Sequence, residues 1–156
     1  MVTERKYTDI VGKKVHVIVD RPAGSYHPRN HEIFYPINYG YIEDIIAGDG
    51  SGQDVYIIGQ DNPLETFDGI VIAVYHRTND VEDKWIVAKE GSDFSDEEIM
   101  KKIHFVEQFF EGYLCTFSVF PYYLIVFSSS SRSSLSVYSF LNIKSPVRNR
   151  APISHL

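Results

Sequence analysis

Five short runs rich in β-branched and aromatic residues, with a single stretch of helical period, constrain this chain more than any other feature. Lys14–Asp20 places Val15, Val17 and Val19 at alternate positions, the period of a strand with one face in a core. Residues 39–46, 55–59, 69–77 and 84–89 are similar in length and composition, and Gly, Pro, Asn and Asp separate them. No helical pattern lies between successive runs, so parallel βαβ units are excluded. Short strands without intervening helices protect their edges best by closing on one another. The expectation is a mainly β domain: a five-stranded closed barrel with one flanking helix. That helix is predicted after the strands. Ser95 and Glu98 form a capping box, Ile99, Ile103, Val106 and Phe110 repeat at helical spacing, and Gly112 is placed to end it. Glu97–Lys101 and Glu98–Lys102 are i,i+4 pairs on its outer side.

Charge divides the chain. All 21 acidic residues lie at or before Glu111, with 11 of the 15 basic ones; the last 45 residues have no acid and four cations, Arg132, Lys144, Arg148 and Arg150. Four serines precede this boundary and eleven follow it. The expected organisation is a barrel domain over residues 1–115 and a Ser-rich, irregular tail over 116–156. The uncharged stretch 112–131 approaches the length of a membrane span, but Pro121 interrupts it and four serines close it, which argues against a membrane segment. Residues 1–14 lack the apolar core of a signal peptide, and the one cysteine, Cys115, cannot form an internal disulfide. A cytoplasmic protein is the expectation. Its net charge of −6 opposes nucleic-acid binding, including the single-strand binding that some small barrels perform. An acidic protein can bind a polyanion through divalent cations held by carboxylates, and that points towards metal–phosphate chemistry.

The densest chemical signal is Tyr35-Pro-Ile-Asn-Tyr-Gly-Tyr41 followed by Ala47-Gly-Asp-Gly-Ser-Gly-Gln-Asp-Val55. Asp49 and Asp54 are five apart on a Gly-rich loop entering a strand, and Gly48, Gly50 and Gly52 give the backbone freedom to bring them together. One or two carboxylates with waters and substrate phosphates are a typical magnesium site. An EF-hand is excluded: counting from Asp49, its sixth position is Asp54 and its twelfth Gln60. A dinucleotide fingerprint lacks its third Gly and its helix, and no P-loop Lys is present. By itself, Asp-Gly-Ser-Gly also reads as a polar hairpin turn.

The two pieces together resemble the signature of family I soluble inorganic pyrophosphatases, in which a Tyr-Pro-x-Asn-Tyr-Gly-Tyr strand precedes an Asp-Gly-Asp-x-x-Asp-Val loop. Val17-Ile-Val-Asp20-Arg-Pro-Ala, Pro63-Leu64, Gly69-Ile-Val-Ile, Glu82-Asp-Lys84-Trp-Ile-Val-Ala and Gln108-Phe-Phe-Glu-Gly-Tyr113 are similar to further family segments in the same order. The resemblance spans roughly residues 14–113 and is nearest to short, compact members. It implies an OB-type barrel and magnesium-dependent hydrolysis of inorganic diphosphate to two phosphates. It places Asp49, Asp54 and Glu82 as metal ligands, with Asp80 rather than Asn79 as a fourth. Lys84, Tyr39 and Tyr113 fall on phosphate-binding positions, the last from the helix. Asp20 matches an acidic site position, Arg29 stands as a substitute substrate-binding cation, and Glu32 as a substitute acid. The catalytic group implied is Asp49, Asp54, Ser51 and Tyr39.

Ser51 stands where the family carries the middle acid of the loop, and a hydroxyl does not accept a proton at neutral pH as a carboxylate does. Two functions therefore remain open: the hydrolase, with a homo-oligomer as its candidate assembly, and a degenerate relative that binds phosphate or a partner without turnover. Elsewhere the plain readings dominate. Pro28 separates His27 from His31 and argues against a zinc pair, Cys115 has no activating neighbour in sequence, and Trp85 reads as core.

Overall fold

The computed structural model of the protein describes Tyr7, residues 9–116 and the backbone of residues 148–149. Its strands are β1 (Lys14–Arg21), β2 (Ser25–Tyr26), β3 (Phe34–Tyr35), β4 (Asn38–Ile46), β5 (Gly52–Ile57), β6 (Thr66–Arg77), β7 (Asp83–Ala88), β8 (Gly112–Thr116) and β9 (Arg148–Asn149); helix α1 (Asp96–Glu107) lies between β7 and β8. Strands β1, β4, β5, β7 and β6 pair in that order, and a further β1–β6 pairing closes the ring. The β5–β7 pair is parallel and the other four are antiparallel. This is the five-stranded closed barrel of OB type that the sequence predicts, with one helix against it.

The barrel is built on alternation. Val15 and Val17 of β1, Val55 and Ile57 of β5, and Trp85 and Val87 of β7 belong to one buried cluster, which fills the barrel. Their neighbours Tyr56, Ile86 and Ala88 point outward and pack with Ile99 and Ile103 of α1. Strand β6 changes phase: Val71 and Val74 both face inward, across an irregularity in its pairing with β7 between Val71 and Ala73. Such a bulge bends a strand. It lets β6 pair with β1 through Thr66–Ile70 and with β8 through Ala73–Arg77.

Helix α1 differs from its sequence signal at the C-terminal end. The Ser95–Glu98 capping box is present, and Ile99 and Ile103 are buried, but the third buried position is Glu107. The helix stops at Glu107, so Phe110 lies in the following turn. Gly112 is not the helix cap. A Cβ there would meet the His76 carbonyl oxygen at 2.3 Å, so a side chain is excluded where β8 crosses close to β6. Thr116 is the last residue of β8 and carries the barrel domain one residue past the expected boundary; Arg148–Asn149 pairs with Gly112–Tyr113. The rest of the expected tail lies outside the described residues. No helix among the described residues is long and apolar enough to cross a membrane.

Candidate functional site

Four residues singled out in the sequence converge on the outer face of the barrel, beyond the end covered by α1. Strand pairing does most of the work. Val55 on β5 is level with Trp85 on β7, so the preceding residues, Asp54 and Lys84, project side by side on the face opposite the barrel core. The Lys84 ammonium donates to Asp54 Oδ2 and to Glu82 Oε2. Lys84 is only 4 % exposed, while Asp54 and Glu82 are 29 % and 20 % exposed, so the cation lies beneath a mouth of carboxylates. Asp54 is thus part of a strand that begins at Gly52, earlier than Gln53 and Asp54, both poor strand formers, suggest.

The turn after β4 adds Asp49. Two glycines position it for different reasons. Gly50 has φ of 86°, a left-handed conformation suited to glycine. Gly48 is needed for proximity: a Cβ there would meet the Val81 carbonyl oxygen at 2.3 Å. Its bareness lets this turn lie against the segment that carries Glu82. The Ser51 amide donates to Asp49 Oδ1 at 2.9 Å, and this bond, followed by an interaction with Glu82, holds the Asp49 carboxyl below the usual range. Glu82 moves the other way. Burial raises it, against the opposing hydrogen bond from Lys84.

Tyr39 joins from β4, where it pairs with Tyr56 across β5. Burial first, then the charge of Asp54 and a hydrogen bond to it, push the Tyr39 phenol well up, so it stays a proton donor. Asp20, at the end of β1, is raised mainly by burial, and Asp54 adds to the shift. Arg21 lies over the rings of Tyr39 and Tyr35, 5.0 and 5.6 Å from their centroids. Sequence reasoning passed over Arg21, because an arginine ending a strand carries no motif. It also passed over the role of Asn38. This buried residue, the first of β4, accepts from the Ala23 and Leu64 amides and donates to the Gln60 and Asn62 carbonyls, tying the β1–β2 and β5–β6 loops together.

Other expected site residues lie apart. Asp80 binds the Arg77 guanidinium at 2.8 Å and the Val81 amide at 2.7 Å. Burial opposes, but these bonds hold its carboxyl below the usual range. Tyr113 is on β8 rather than on the helix and pairs with His76; its ring packs edge-on against that imidazole at 5.1 Å. This is the face carrying Tyr7 and Asp83, opposite to that of Lys84. It holds a separate polar cluster, in which the Tyr7 hydroxyl donates to Asp83 Oδ2 and Asp83 Oδ1 lies 2.6 Å from His76 Nδ1. Arg29 and Glu32 are exposed in the turn between β2 and β3. The His27 ring serves that turn, accepting from the Arg29 and Asn30 amides through Nδ1.

The donor chemistry suits a hard dication: Asp49, Asp54 and Glu82 offer carboxylate oxygens, and no thiol or imidazole is among them. Among the described residues, no three or more His, Cys, Asp or Glu side chains are gathered closely enough to hold a metal ion; Asp54 and Glu82 are turned onto Lys84 instead. Cation binding would therefore share or redirect these two carboxylates.

No protein-family model matches the chain, and no curated protein matches it in sequence. Similar solved structures include an inorganic pyrophosphatase from Neisseria gonorrhoeae, at 20% identity over 63% of this chain and 77% of that one, with a TM-score of 0.48. Another is that from Ehrlichia chaffeensis, at 22% identity over 62% and 81%, with a TM-score of 0.47. That from Coxiella burnetii is 18% identical over 62% and 77%, with a TM-score of 0.48. In fold, the described barrel is similar to these bacterial inorganic pyrophosphatases.

Proposed function

We propose that the chain hydrolyses inorganic diphosphate to two phosphates with the help of magnesium. The observation that carries this reading is the buried Lys84 ammonium beneath the partly exposed carboxylates of Asp54 and Glu82, with Asp49 beside them. Three acids around one cation leave surplus negative charge towards solvent.

Asp49, Asp54 and Glu82 would hold the cation, and Asp80 would join only by leaving Arg77. When bound, magnesium lowers the pKa of a coordinated water and offsets charge on phosphoryl oxygens. The side chains supply the rest. Lys84, released in part from its carboxylates, donates to phosphate oxygens, and Tyr39 donates a phenolic hydrogen bond from a buried position. Ser51 orients water through its hydroxyl and holds Asp49 through its amide.

Phosphate release from diphosphate by the purified protein, with magnesium and with excess chelator, tests the reading. Release that depends on the metal is expected; equal release in chelator would rule out metal assistance. A second reading is favoured by one observation, the hydroxyl at Ser51 where a third loop acid would serve as base. It is a module that binds phosphate without turnover. Phosphate binding with no release under any divalent cation would select it.

A further inference from the structure

Arg21 is the polar group least accounted for near the site. Its side chain is 22 % exposed, yet among the described residues its only ion-pair approach is to Asp20 Oδ1, at 3.8 Å. Its Nε is buried with no hydrogen-bond partner among the described residues. The guanidinium lies over Tyr35 and Tyr39, and ring faces attract its charge while leaving its N–H edge unused. Ser25 pairs across the β2–β3 ladder with Tyr35, and its Oγ is a second buried polar atom without a partner among the described residues. A buried N–H and a buried hydroxyl left unpaired each carry a cost. The guanidinium edge therefore keeps unused hydrogen-bonding capacity, and its exposed part is open to an acceptor that comes from outside the chain.

The charge of the surroundings says what kind. Asp20, Asp49, Asp54 and Glu82 against Arg21 and Lys84 leave the cluster two charges negative. A dication would offset that excess, and an oxyanion bound with it would then find two cationic arms, Lys84 on one side and Arg21 on the other. Tyr39 links them: its phenol is turned to Asp54, and its ring lies under Arg21. A planar fork of N–H donors matches two oxygens of a tetrahedral phosphoryl group, and an ammonium does not.

We propose that Arg21 binds a phosphoryl group of the substrate, supplying from the end of β1 the guanidinium that the family resemblance assigns to Arg29. The proposal rests on the diphosphatase reading above and deepens it.

Calorimetric titration with inorganic phosphate in the presence of magnesium tests it, alongside KM and kcat for diphosphate. Arg21→Gln should weaken phosphate binding and raise KM by about 10- to 100-fold, the size of a lost charged hydrogen bond, with kcat changed far less. Arg21→Lys keeps the charge without the fork and should lose on the order of threefold to tenfold. Lys14→Gln removes an exposed cation paired with Glu90 away from the site, and should leave both constants near wild type. If Arg21→Gln fails to fold by circular dichroism, Arg21→Lys decides. Wild-type affinity and KM in a folded Arg21 variant would overturn the proposal and leave the hydrolase standing. A wild-type protein that neither binds phosphate nor releases it from diphosphate would overturn both.

Discussion

Arg77 and Lys84 lie on neighbouring strands and face the same side of the sheet, and each is a nearly buried cation held by carboxylates. Their surroundings differ. Arg77 donates from Nε and Nη2 to the two oxygens of Glu107, at 2.9 and 2.7 Å, and from Nη1 to Asp80. Tyr56 donates to Glu107 at 2.6 Å, and Phe110 covers the guanidinium at 3.5 Å. Glu107 is fully buried, and the end of α1 closes the group off from water. Lys84 is as deeply buried as Arg77, but both of its carboxylates are partly open to solvent. Similar chemistry therefore sits in two settings. At the end of the helix one carboxylate is fully buried and bidentate on its cation; at Lys84 both carboxylates keep an edge towards water.

Breaking the closed cluster should have the largest effect. Glu107→Ala leaves Arg77 buried without its bidentate partner and should cost about 3–5 kcal/mol of stability, read from urea denaturation. A loss no larger than that of a typical surface substitution would mean that water already reaches this end of the helix. Asp54→Asn tests the open cluster in turn. It removes a charge at nearly constant shape and should lower diphosphate hydrolysis by about 100-fold or more, with little change in the urea midpoint. Should the main loss be in stability, the two clusters would be alike after all.

Ser51→Asp sharpens the comparison by adding charge to the open side only. A positioned base contributes about 100- to 10,000-fold, so an imperfectly placed one should still raise the rate on the order of tenfold at saturating magnesium. A folded, metal-binding variant that is no faster would show that Ser51 is not a vacated base position. The smallest effect is expected at Asp80, on the rim of the closed cluster. Its folded pKa is lowered, so its contribution is present above the ordinary Asp value and is lost as pH falls through the lower folded value. Urea midpoints of Asp80→Asn and wild type should differ at neutral pH and converge in strong acid. A constant difference would mean that Asp80 acts by packing and not by charge.

The family resemblance and the strands came from local pattern, because alternation and turn residues are written along the chain. The capping box of α1 was legible for the same reason, since its two partners are three residues apart. The site was legible in part: Asp49, Asp54, Glu82 and Lys84 were named from motif, and the parallel β5–β7 register brings Lys84 to Asp54. Phe110 falls on the helix stripe by spacing, and no local pattern places Glu107 in the core. Helical period gives an angle around the axis but not the residue at which the helix ends.

What the sequence determined by itself was therefore a barrel of short strands with a capped helix and a cluster of acids around a lysine. Only the tertiary structure decided that Glu107 lies in the core, that Tyr113 faces away from Lys84, and that Arg21 rather than Arg29 stands over Tyr39. The physical reason is range. Hydrophobic period and turn chemistry act between residues a few positions apart. The partner of a charge is set by which strands pair and in which register, and that depends on the whole ring closing.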